Sequence, residues 1–536
     1  MELRAEVQAW IADDPDPVTA AILQGWLDTN NEVELRTSFS GFLQFGTAGL
    51  RGPVRPGPSG MNRAVVGRTA AAIAAYMKER DLTSVVIGRD ARYGSEDFTQ
   101  ETAEIMSGAG MKVYVLPRPL PTPVLAFATN ELKCDVGIMV TASHNPPQDN
   151  GYKVYLGGTV DGIHYRGSQI VSPTDESIAA HITAITSLAS QPRGHVWSIV
   201  DEEIVSKYVD ITASIANKPG NLKIVYTAMH GVGTETLLHV FHKAGFPTPI
   251  LVDAQAQPDP DFPTVAFPNP EEPGAIDLAL ETARAFDADL VIANDPDADR
   301  CAAAVNDPIS GWRMLRGDEL GAILGESIAR KTTNGILANS IVSSTILSKI
   351  AAHYNLEFKQ TLTGFKWLAK IDGLTFGYEE ALGYAVDAIT VNDKDGISAA
   401  IKLAQIATDL ASENKSLLDL LDEIWSRHGF HATEQISIRL TDLSQVGRIM
   451  GHLRLKPPST IAGLLVTSID DLAEPADDLP PTDGLRIWLD GTIRIIIRPS
   501  GTEAKMKCYI EVIEKDSVRA HIVLDQLRAP LKELLS

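Results

Sequence analysis

Short apolar runs rich in β-branched residues alternate with helix-like segments over most of the chain, and this alternation constrains the fold most. Four of these runs are typical of strands buried on both faces, namely SVVIGRD (84–90), DVGIMVTASHN (135–145), NLKIVYTAMHG (221–231) and ADLVIAND (288–295). Helical patterns lie between them, for example AVVGRTAAAIAAYMKER (64–80) and SEDFTQETAEIMSGAG (95–110). Strands that alternate with helices predict parallel sheets and an α/β fold.

The pattern changes near residue 429. A helix over 416–429 ends at a glycine, and alternating strands follow it before a last helix, VRAHIVLDQLRAPLKELL. This order predicts a separate α+β domain at the end of the chain.

A chain of 536 residues is expected to form three or four domains. The segment SQPRGHVW (190–197) is typical of a linker, and NDPISGWR (306–313) predicts a turn, either between domains or between two hairpin strands. We therefore expect four domains, with the boundaries 1–195, 196–308, 309–428 and 429–536.

The charge of the chain restricts its partners. Acidic side chains outnumber basic ones, 69 to 47, which gives a formal net charge of -22. This excess argues against nucleic acid and anionic membranes, because both require a basic surface, but it permits a small anionic substrate.

The cysteines and the N-terminus indicate the compartment. The three cysteines are scattered and form neither a disulfide framework nor a zinc pattern. The N-terminus lacks the pattern of a signal peptide, and no run of 18 apolar residues indicates a membrane span. We expect a cytoplasmic protein.

Polar clusters follow the ends of three predicted strands. TASHNPP follows VGIMV, NDPDADR follows DLVIA, and GYEEALGY (377–384) follows LTF. In α/β sheets ligands bind beyond the carboxyl ends of the strands, so these clusters are the first candidates for a functional site.

Ser143 of TASHNPP is either a turn residue or a nucleophile. A serine hydroxyl is a weak nucleophile without a base, a metal or a charge to activate it. The chain has no GxSxG motif around Ser143, so a hydrolase triad is not supported. His144 and Lys153 are possible partners, and the motif alone leaves both interpretations open.

Asp295, Asp297 and Asp299 of NDPDADR alternate along the chain, so an extended backbone brings their carboxylates to one side. A calcium loop of the EF-hand type is not predicted, because its sixth and twelfth positions hold Arg300 and Asn306. Oxygen-only ligands favour Mg²⁺, and the alternative is a solvated acidic turn.

Further loops offer contacts for anions and sugars. RPSGTEAKMK (498–507) is either a phosphate-binding loop or an ordinary turn, and Glu379 of GYEEALGY either binds sugar hydroxyls or lies near the start of an exposed helix. Arg51 of FGTAGLRG suggests an anion contact, whereas Lys366 and Lys394 in glycine-bearing loops are weaker candidates.

The ordered set TASHNPP, DPDADR, YEEALG and RPSGTEAK resembles the α-D-phosphohexomutase superfamily over nearly the whole chain. TLTGFKW and DKDGISAA are most similar to the branch of phosphoglucomutase-2 and phosphopentomutase. The resemblance implies four domains around a central cleft. Three are similar α/β domains with mixed sheets, and the fourth is an α+β domain like TATA-binding protein.

The resemblance also implies a role for each motif residue. It implies a phosphoserine at Ser143, one Mg²⁺ bound by Ser143, Asp295, Asp297 and Asp299, and glucose 1,6-bisphosphate as activator and intermediate. The catalytic set that it implies is Ser143, His144, Lys153, Arg51 and Lys394. The substrate-binding set is Arg300, Gly364, Lys366, Glu379, Ala381, Arg498, Ser500, Gly501 and Thr502.

By this resemblance we expect an enzyme that interconverts glucose 1-phosphate and glucose 6-phosphate, acting on small sugar phosphates as a monomer or homodimer. Ala381 stands where hexose mutases carry serine, which keeps phosphopentomutase and phosphomannomutase open as alternatives. A sugar-1,6-bisphosphate synthase is a further rival. An inactive relative that only binds sugar phosphates is the non-enzyme alternative.

Overall fold

The computed structural model describes residues 2–46, 48–474, 479–500 and 505–536, except for the side chain of Leu443. The chain divides into two compact units, which are described separately. Unit 1 comprises Met1–Leu315, Phe365–Asp372 and Ala381–Glu413, and unit 2 comprises Arg316–Gly364, Gly373–Glu380 and Asn414–Ser536.

The first 315 residues alternate helices and strands. The helices are α1 (Glu2–Asp13), α2 (Pro17–Asp28), α3 (Glu32–Ser38), α4 (Arg63–Lys78), α5 (Ser95–Gly108), α6 (Thr122–Glu131), α7 (Thr174–Ala184), α8 (Glu203–Ala213), α9 (Gly233–Lys243) and α10 (Asp277–Phe286), with a 3-10 turn at Asp253–Gln255. The strands are β1 (Leu50–Pro53), β2 (Ser84–Arg89), β3 (Lys112–Val115), β4 (Val136–Val140), β5 (Asp149–Leu156), β6 (Thr159–Val160), β7 (Ile163–His164), β8 (Ser168–Gln169), β9 (Ser198–Ile199), β10 (Ile224–Thr227), β11 (Ile250–Leu251), β12 (Leu290–Ala293), β13 (Ala302–Asp307) and β14 (Gly311–Met314).

The remaining residues continue the alternation and then become rich in strands. The helices are α11 (Gly317–Ala329), α12 (Ile346–His353), α13 (Phe365–Leu368), α14 (Gly396–Ser412), α15 (Leu417–His428), α16 (Leu443–Leu455) and α17 (Ser517–Leu534). The strands are β15 (Ile336–Ser340), β16 (Glu357–Thr361), β17 (Leu374–Glu379), β18 (Gly383–Ala385), β19 (Phe430–Arg439), β20 (Thr460–Ile461), β21 (Leu464–Asp471), β22 (Leu485–Leu489), β23 (Ile493–Pro499) and β24 (Lys505–Glu514).

The larger sheet of unit 1 has the order β1-β5-β4-β2-β3-β9, with β8 beside β5. Strands β4, β2, β3 and β9 are parallel, whereas β5 runs antiparallel to both of its neighbours β1 and β4. All five residues of β4 are buried, which explains its continuous apolar sequence, VGIMV. This sheet is therefore mixed, and the segment that contains Ser143 follows its central strand β4.

The second sheet of unit 1 has the order β11-β10-β12-β13-β14. Strand β12 is parallel to β10 and antiparallel to β13, and the NDPDADR segment connects β12 to β13. The turn predicted over 306–313 joins the antiparallel strands β13 and β14, so the hairpin alternative is confirmed. The predicted boundary between residues 308 and 309 falls in this hairpin turn, and the four domain ranges stay a prediction.

Unit 2 contains a small parallel sheet and a larger antiparallel one. Strand β15 is parallel to both β16 and β17. The antiparallel sheet has the order β19-β24-β23-β22-β21-β20 and buries an apolar core against α16 and α17. The α/β prediction and the change of pattern after residue 429 are both confirmed.

Local sequence explains the end of the α/β pattern. Helix α15 begins after Ser416, which exchanges hydrogen bonds with Asp419, and it ends at Gly429, whose φ of 89° suits glycine. Among the described residues, no helix combines the length and the hydropathy needed to cross a membrane.

Candidate active site

Ser143 lies in the loop that follows β4 and is 3% exposed. Its φ of 52° is in the left-handed region, which a residue other than glycine adopts only when its surroundings hold it there. The Ser143 amide donates a 2.9 Å hydrogen bond to Oγ1 of Thr141, and its hydroxyl donates a 2.7 Å hydrogen bond to Oδ2 of Asp295. The serine is therefore held in a fixed geometry rather than displayed on a surface turn.

Arg92 holds the loop of Ser143. The two terminal nitrogens of its guanidinium donate hydrogen bonds to four backbone carbonyls, those of Ser143 (2.7 Å), Asn145 (2.5 Å), Pro146 (2.8 Å) and Asp149 (3.1 Å). Sequence reasoning missed this residue. The available signal was its place in GRDARYGS, just beyond a predicted buried strand and two residues after an aspartate.

Asp295, Asp297 and Asp299 are fully buried, and one oxygen of each carboxylate lies within 4.8 Å of the others. The Lys153 ammonium on β5 donates to Oδ2 of Asp297 at 2.7 Å and to Oδ2 of Asp299 at 2.8 Å. The Lys394 ammonium lies 2.8 Å from the same oxygen of Asp299. The structure thus assembles the three carboxylates, Lys153 and Lys394 around one point.

The carboxylates repel one another, and the nearby cations oppose this repulsion unequally. Burial, together with the charges of the other two carboxylates, raises the pKa of Asp295 to about 8. Burial also acts on Asp297 and Asp299, yet the Lys153 ammonium keeps the pKa of each below its ordinary value. The cluster therefore carries negative charge that a further cation would stabilise.

Two oxygens of this cluster indicate that a cation binds here. Oδ1 of Asp297 and Oδ1 of Asp299 are buried and have no hydrogen-bond partner among the described residues. A buried carboxylate oxygen without a partner is costly, and an oxygen-only ligand set suits a hard cation such as Mg²⁺. The donor set therefore fits a magnesium ion.

Neighbouring loops fix the backbone of the aspartate segment. The Val232 amide donates to the Pro296 carbonyl at 2.9 Å, and a Cβ placed on Gly231 would lie 2.3 Å from the Pro296 backbone. A Cβ on Gly396 would lie 2.1 Å from the Arg300 carbonyl. Glycine is therefore required at both positions, because the supporting backbones approach so closely.

Arg51 and Arg300 add positive charge near the carboxylates. Arg51 lies on β1 opposite Gly151 of β5, and its guanidinium donates to the Asn145 side chain at 3.3 Å. Burial lowers the pKa of Arg51, and the charges of Asp297 and Asp299 oppose that shift. Both arginines belong to unit 1.

His144 bonds to Ser143 through one ring nitrogen and to Arg300 through the other. Nδ1 lies 3.1 Å from the Ser143 hydroxyl oxygen, and Nε2 lies 3.4 Å from a guanidinium nitrogen of Arg300. Burial and the Arg300 charge hold the pKa of His144 well below its usual range, so the ring is neutral. Because a guanidinium only donates, Nε2 accepts and the ring proton is on Nδ1, directed at the seryl oxygen.

Some predicted residues lie in unit 2. Glu379 is the last residue of β17, and its Oε1 accepts a 2.7 Å hydrogen bond from the Gly364 amide. Because a strand ends there and a turn follows, the alternative of a helix start at Glu379 is wrong. Lys366 of α13 and Ala381, in contrast, belong to unit 1.

Arg498 lies on β23 opposite Lys507 of β24, in unit 2. The Ser500 amide donates to the Lys505 carbonyl at 2.8 Å, so the RPSGTEAK segment connects two antiparallel strands. Gly501 and Thr502 lie outside the described residues.

Comparisons with known proteins match three segments of the chain to one protein family. Models of phosphoglucomutase/phosphomannomutase alpha/beta/alpha domains I, II and III match residues 43–189, 203–311 and 316–428. The chain is 46% identical to a protein named probable phosphomannomutase from Haemophilus influenzae, over 89% of the chain and 98% of the relative. It is 33% identical to human phosphopentomutase, over 100% of the chain and 95% of the relative.

Solved structures share the fold at low identity. A phosphoglucomutase/phosphomannomutase family protein from Burkholderia thailandensis superposes with a TM-score of 0.71 at 20% identity, covering 91% of the chain and 97% of that structure. The open form of the Paramecium phosphoglucomutase parafusin gives a TM-score of 0.70 at 19% identity, covering 93% and 95%.

Proposed function

Since the chain belongs to the phosphoglucomutase/phosphomannomutase family and is an intramolecular phosphotransferase, we propose that it interconverts glucose 1-phosphate and glucose 6-phosphate through a phosphoserine at Ser143. One observation carries the proposal. The Ser143 hydroxyl is hydrogen-bonded at 2.7 Å to Asp295 of the buried carboxylate cluster. An ordinary turn serine has no need of a left-handed backbone, four carbonyl contacts from one arginine and a neighbouring set of metal-binding carboxylates.

The proposed cycle has two phosphoryl transfers. In the first, a sugar hydroxyl oxygen attacks the phosphorus on Ser143, the bond from phosphorus to the seryl oxygen breaks, and the hydroxyl proton passes to a basic side chain. The bound 1,6-bisphosphate then reorients. In the second, the seryl oxygen attacks the other phosphate, and the leaving sugar oxygen takes up the proton. Positioning and charge stabilisation dominate such transfers.

Magnesium is the cofactor that the carboxylates fit. We propose that Asp295, Asp297 and Asp299, together with Ser143, would hold it, and that it would offset the charge of the transferring phosphoryl group. The two buried Oδ1 atoms without partners support this assignment.

The remaining cations of unit 1 have distinct proposed roles. Lys153 is the proposed base and acid, because its Nζ lies among the carboxylates beside the seryl loop. As the neutral amine it takes the proton of the attacking sugar hydroxyl, and as the ammonium it returns that proton to the leaving sugar oxygen. Arg51, Arg300 and Lys394 stabilise the phosphoryl charge. His144 donates a hydrogen bond from its Nδ1–H to the seryl oxygen, which stabilises the charge on that oxygen when it leaves.

The residues of unit 2 are proposed to bind the part of the substrate that does not react. Glu379 accepts hydrogen bonds from sugar hydroxyls next to Gly364. Arg498 and Ser500, with Gly501 and Thr502, bind the distal phosphate through a guanidinium, hydroxyls and backbone amides. Lys366 and Ala381, which belong to unit 1, complete the proposed substrate-binding set.

Pentose phosphates are the second candidate substrates. Ala381 removes a hydroxyl that hexose mutases use, and the human relative at 33% identity is named phosphopentomutase. Mannose phosphates are also tested as substrates, because the Haemophilus influenzae relative is named probable phosphomannomutase.

A substrate panel tests this proposal. Turnover of glucose, mannose, ribose and deoxyribose 1-phosphates is measured as kcat/KM with Mg²⁺ and a trace of the matching bisphosphate. We expect glucose 1-phosphate to give the highest value. A higher kcat/KM for a pentose phosphate would mean that pentose phosphates, the second candidate, are the preferred substrates instead of glucose phosphates.

The setting of the enzyme is part of the same proposal. We propose that it acts in the cytoplasm on small sugar phosphates as a monomer or homodimer, with the four domains set out above. The three cysteines are buried and unpaired, which suits a reducing compartment.

A further inference from the structure

The segment 341–345, here called the coupling loop, follows β15 and is tied to the antiparallel sheet of unit 2. The guanidinium of Arg494 on β23 donates a 3.0 Å hydrogen bond to the Ile341 carbonyl and a second bond to the Ser343 carbonyl. The carboxylate of Glu511 on β24 accepts bonds from the Ser344 hydroxyl at 2.6 Å and the Thr345 amide at 2.7 Å. Two facing strands thus hold the loop by its backbone.

The register of these strands places Arg498 on the same face of the sheet. Arg494 pairs with Glu511, Ile496 with Tyr509, and Arg498 with Lys507. Because side chains alternate along a strand, the three pairs form successive rows on one face. The coupling loop binds the first row through Arg494 and Glu511. It covers the second, where Ile341 and Val342 pack with Ile496 and Tyr509. The third row, with Arg498, is about 7 Å further along.

The opposite side of the coupling loop binds the residues on either side of Glu379. The Ser343 hydroxyl donates to Oε2 of Glu380 at 3.1 Å and accepts the Glu380 amide at 3.0 Å. The Ser344 amide and the Tyr378 hydroxyl both donate to Oδ1 of Asp318, at 2.7 Å and 2.9 Å. Glu379 therefore lies between two residues that are fixed to the loop.

The ion pair at the centre of this network is buried. Arg494 is 4% exposed and Glu511 is 2% exposed, and a guanidinium nitrogen lies 3.0 Å from Oε2 of Glu511. Despite its burial, the charge of Arg494 and the hydrogen bonds from His431 and Ser344 lower the pKa of Glu511 to about 2. Arg494 bonds to two carbonyls of the coupling loop, and Oε1 of Glu511 accepts from Ser344 and Thr345. Such directional hydrogen bonds fix geometry more narrowly than apolar contact does.

We infer that Arg494 and Glu511 are positioning residues that set the separation between Glu379 and Arg498, and thereby the size of the sugar phosphate that spans them. The inference rests on the proposed function, in which Glu379 binds the sugar hydroxyls and Arg498 binds the distal phosphate. Neither Arg494 nor Glu511 is assigned any contact with the substrate.

Variants can remove the contacts of the coupling loop either with Glu380 or with Arg494 and Glu511. Ser343→Ala removes the hydroxyl bonded to Glu380 and leaves the Ser343 carbonyl for Arg494. The double variant Arg494→Met/Glu511→Gln removes both buried charges together, so neither is left unpaired. Arg454→Met is the matched control, since Arg454 forms ion pairs with Asp471 and Asp483 away from the loop.

Steady-state kinetics with glucose and ribose 1-phosphates measures the effect. Binding interactions present in both ground state and transition state affect KM more than kcat, so we expect KM to rise about three- to tenfold with kcat within about twofold. We expect the glucose-to-ribose ratio of kcat/KM to change at least about threefold in both variants and to stay unchanged in Arg454→Met. Unchanged KM and ratio in folded Ser343→Ala and folded double variant would overturn the inference.

Hydrogen exchange of the full chain gives an independent readout. In the double variant we expect faster exchange in peptides that contain Tyr378–Glu380, and wild-type exchange in β10 and β12 of unit 1. Wild-type exchange at Tyr378–Glu380 would contradict the coupling. If the wild-type protein turns over no sugar phosphate, both the proposed function and this inference are wrong. If the wild-type protein turns over sugar phosphates and the variants behave like it, only this inference is wrong.

Discussion

The hydroxyl of Ser143 donates a 2.7 Å hydrogen bond to Oδ2 of Asp295, although the two residues are 152 positions apart. Ser143 follows β4 of one mixed sheet, and Asp295 follows β12 of another. Two strand ends from different sheets thus meet at one buried point. This contact joins the proposed nucleophile to the carboxylates that are proposed to bind Mg²⁺.

Asp297→Asn removes one charge from the carboxylate cluster and weakens the fit to Mg²⁺. We expect the variant to fold, to lose Mg²⁺ binding by calorimetric titration, and to lose turnover by at least about 100-fold, because the cation stabilises the transferring phosphoryl group. Asp307→Asn is the control, since Asp307 ends β13 outside the cluster. Turnover at the wild-type rate in Asp297→Asn would refute the metal assignment.

Arg92→Met removes the guanidinium that bonds to four carbonyls of the seryl loop. Leaving these acceptors unsatisfied is expected to cost about 2–4 kcal/mol of the free energy of unfolding. Because the loop then holds Ser143 less rigidly, kcat should fall about 10- to 100-fold. Denaturant unfolding and kinetics measure the two effects. Arg89→Met, three residues earlier, serves as control, and a folded Arg92→Met with normal kcat would contradict the positioning role.

Lys370 gives stability a pH dependence. Burial lowers its pKa to about 7, and its ammonium donates to the Gln169 carbonyl and lies 4.2 Å from the Tyr165 ring. The folded state favours the neutral amine of Lys370. The loss of folding stability caused by the buried ammonium is therefore complete below pH 7, and it is relieved as the pH rises toward 10.5, the pKa of this group in the unfolded chain. Denaturant unfolding should therefore show that the free energy of unfolding rises less between pH 7 and pH 9 in Lys370→Met than in the wild type. An equal rise in both proteins would exclude Lys370 as the cause of the pH dependence.

Glu379→Gln tests the sugar contact. The amide keeps one acceptor for the Gly364 amide but loses the charge that strengthens hydrogen bonds from sugar hydroxyls. We expect kcat/KM to fall about 10- to 100-fold with little change in melting temperature. Glu357→Gln on the exposed part of β16 is the matched control. A kcat/KM equal to that of the control would remove Glu379 from the site.

The strand and helix order and the main motif loops were predictable because they depend on local patterns. Apolar runs such as VGIMV in β4 show burial directly, and Ser416 and Gly429 mark the ends of α15 through capping chemistry. Ser143 and the three aspartates were candidates because ligands bind beyond the carboxyl ends of strands in α/β sheets, although each motif alone left an ordinary turn open.

The partners of these residues were not predictable, because tertiary structure brings them together. Arg92 looks like any polar residue after a strand until the seryl loop folds over it. The pairing of Lys153 with Asp297 and Asp299 requires β5 to run antiparallel to β4, which the alternation of strands and helices does not indicate. The buried pair of Arg494 and Glu511 depends in the same way on strand register.

Intact-mass spectrometry of the purified protein, before and after incubation with glucose 1,6-bisphosphate and Mg²⁺, tests the central claim most directly. The account predicts a gain of one phosphoryl group, located on Ser143 by fragmentation and absent from Ser143→Ala. A wild-type protein that never carries phosphate on Ser143, although it is folded and binds Mg²⁺, would contradict it.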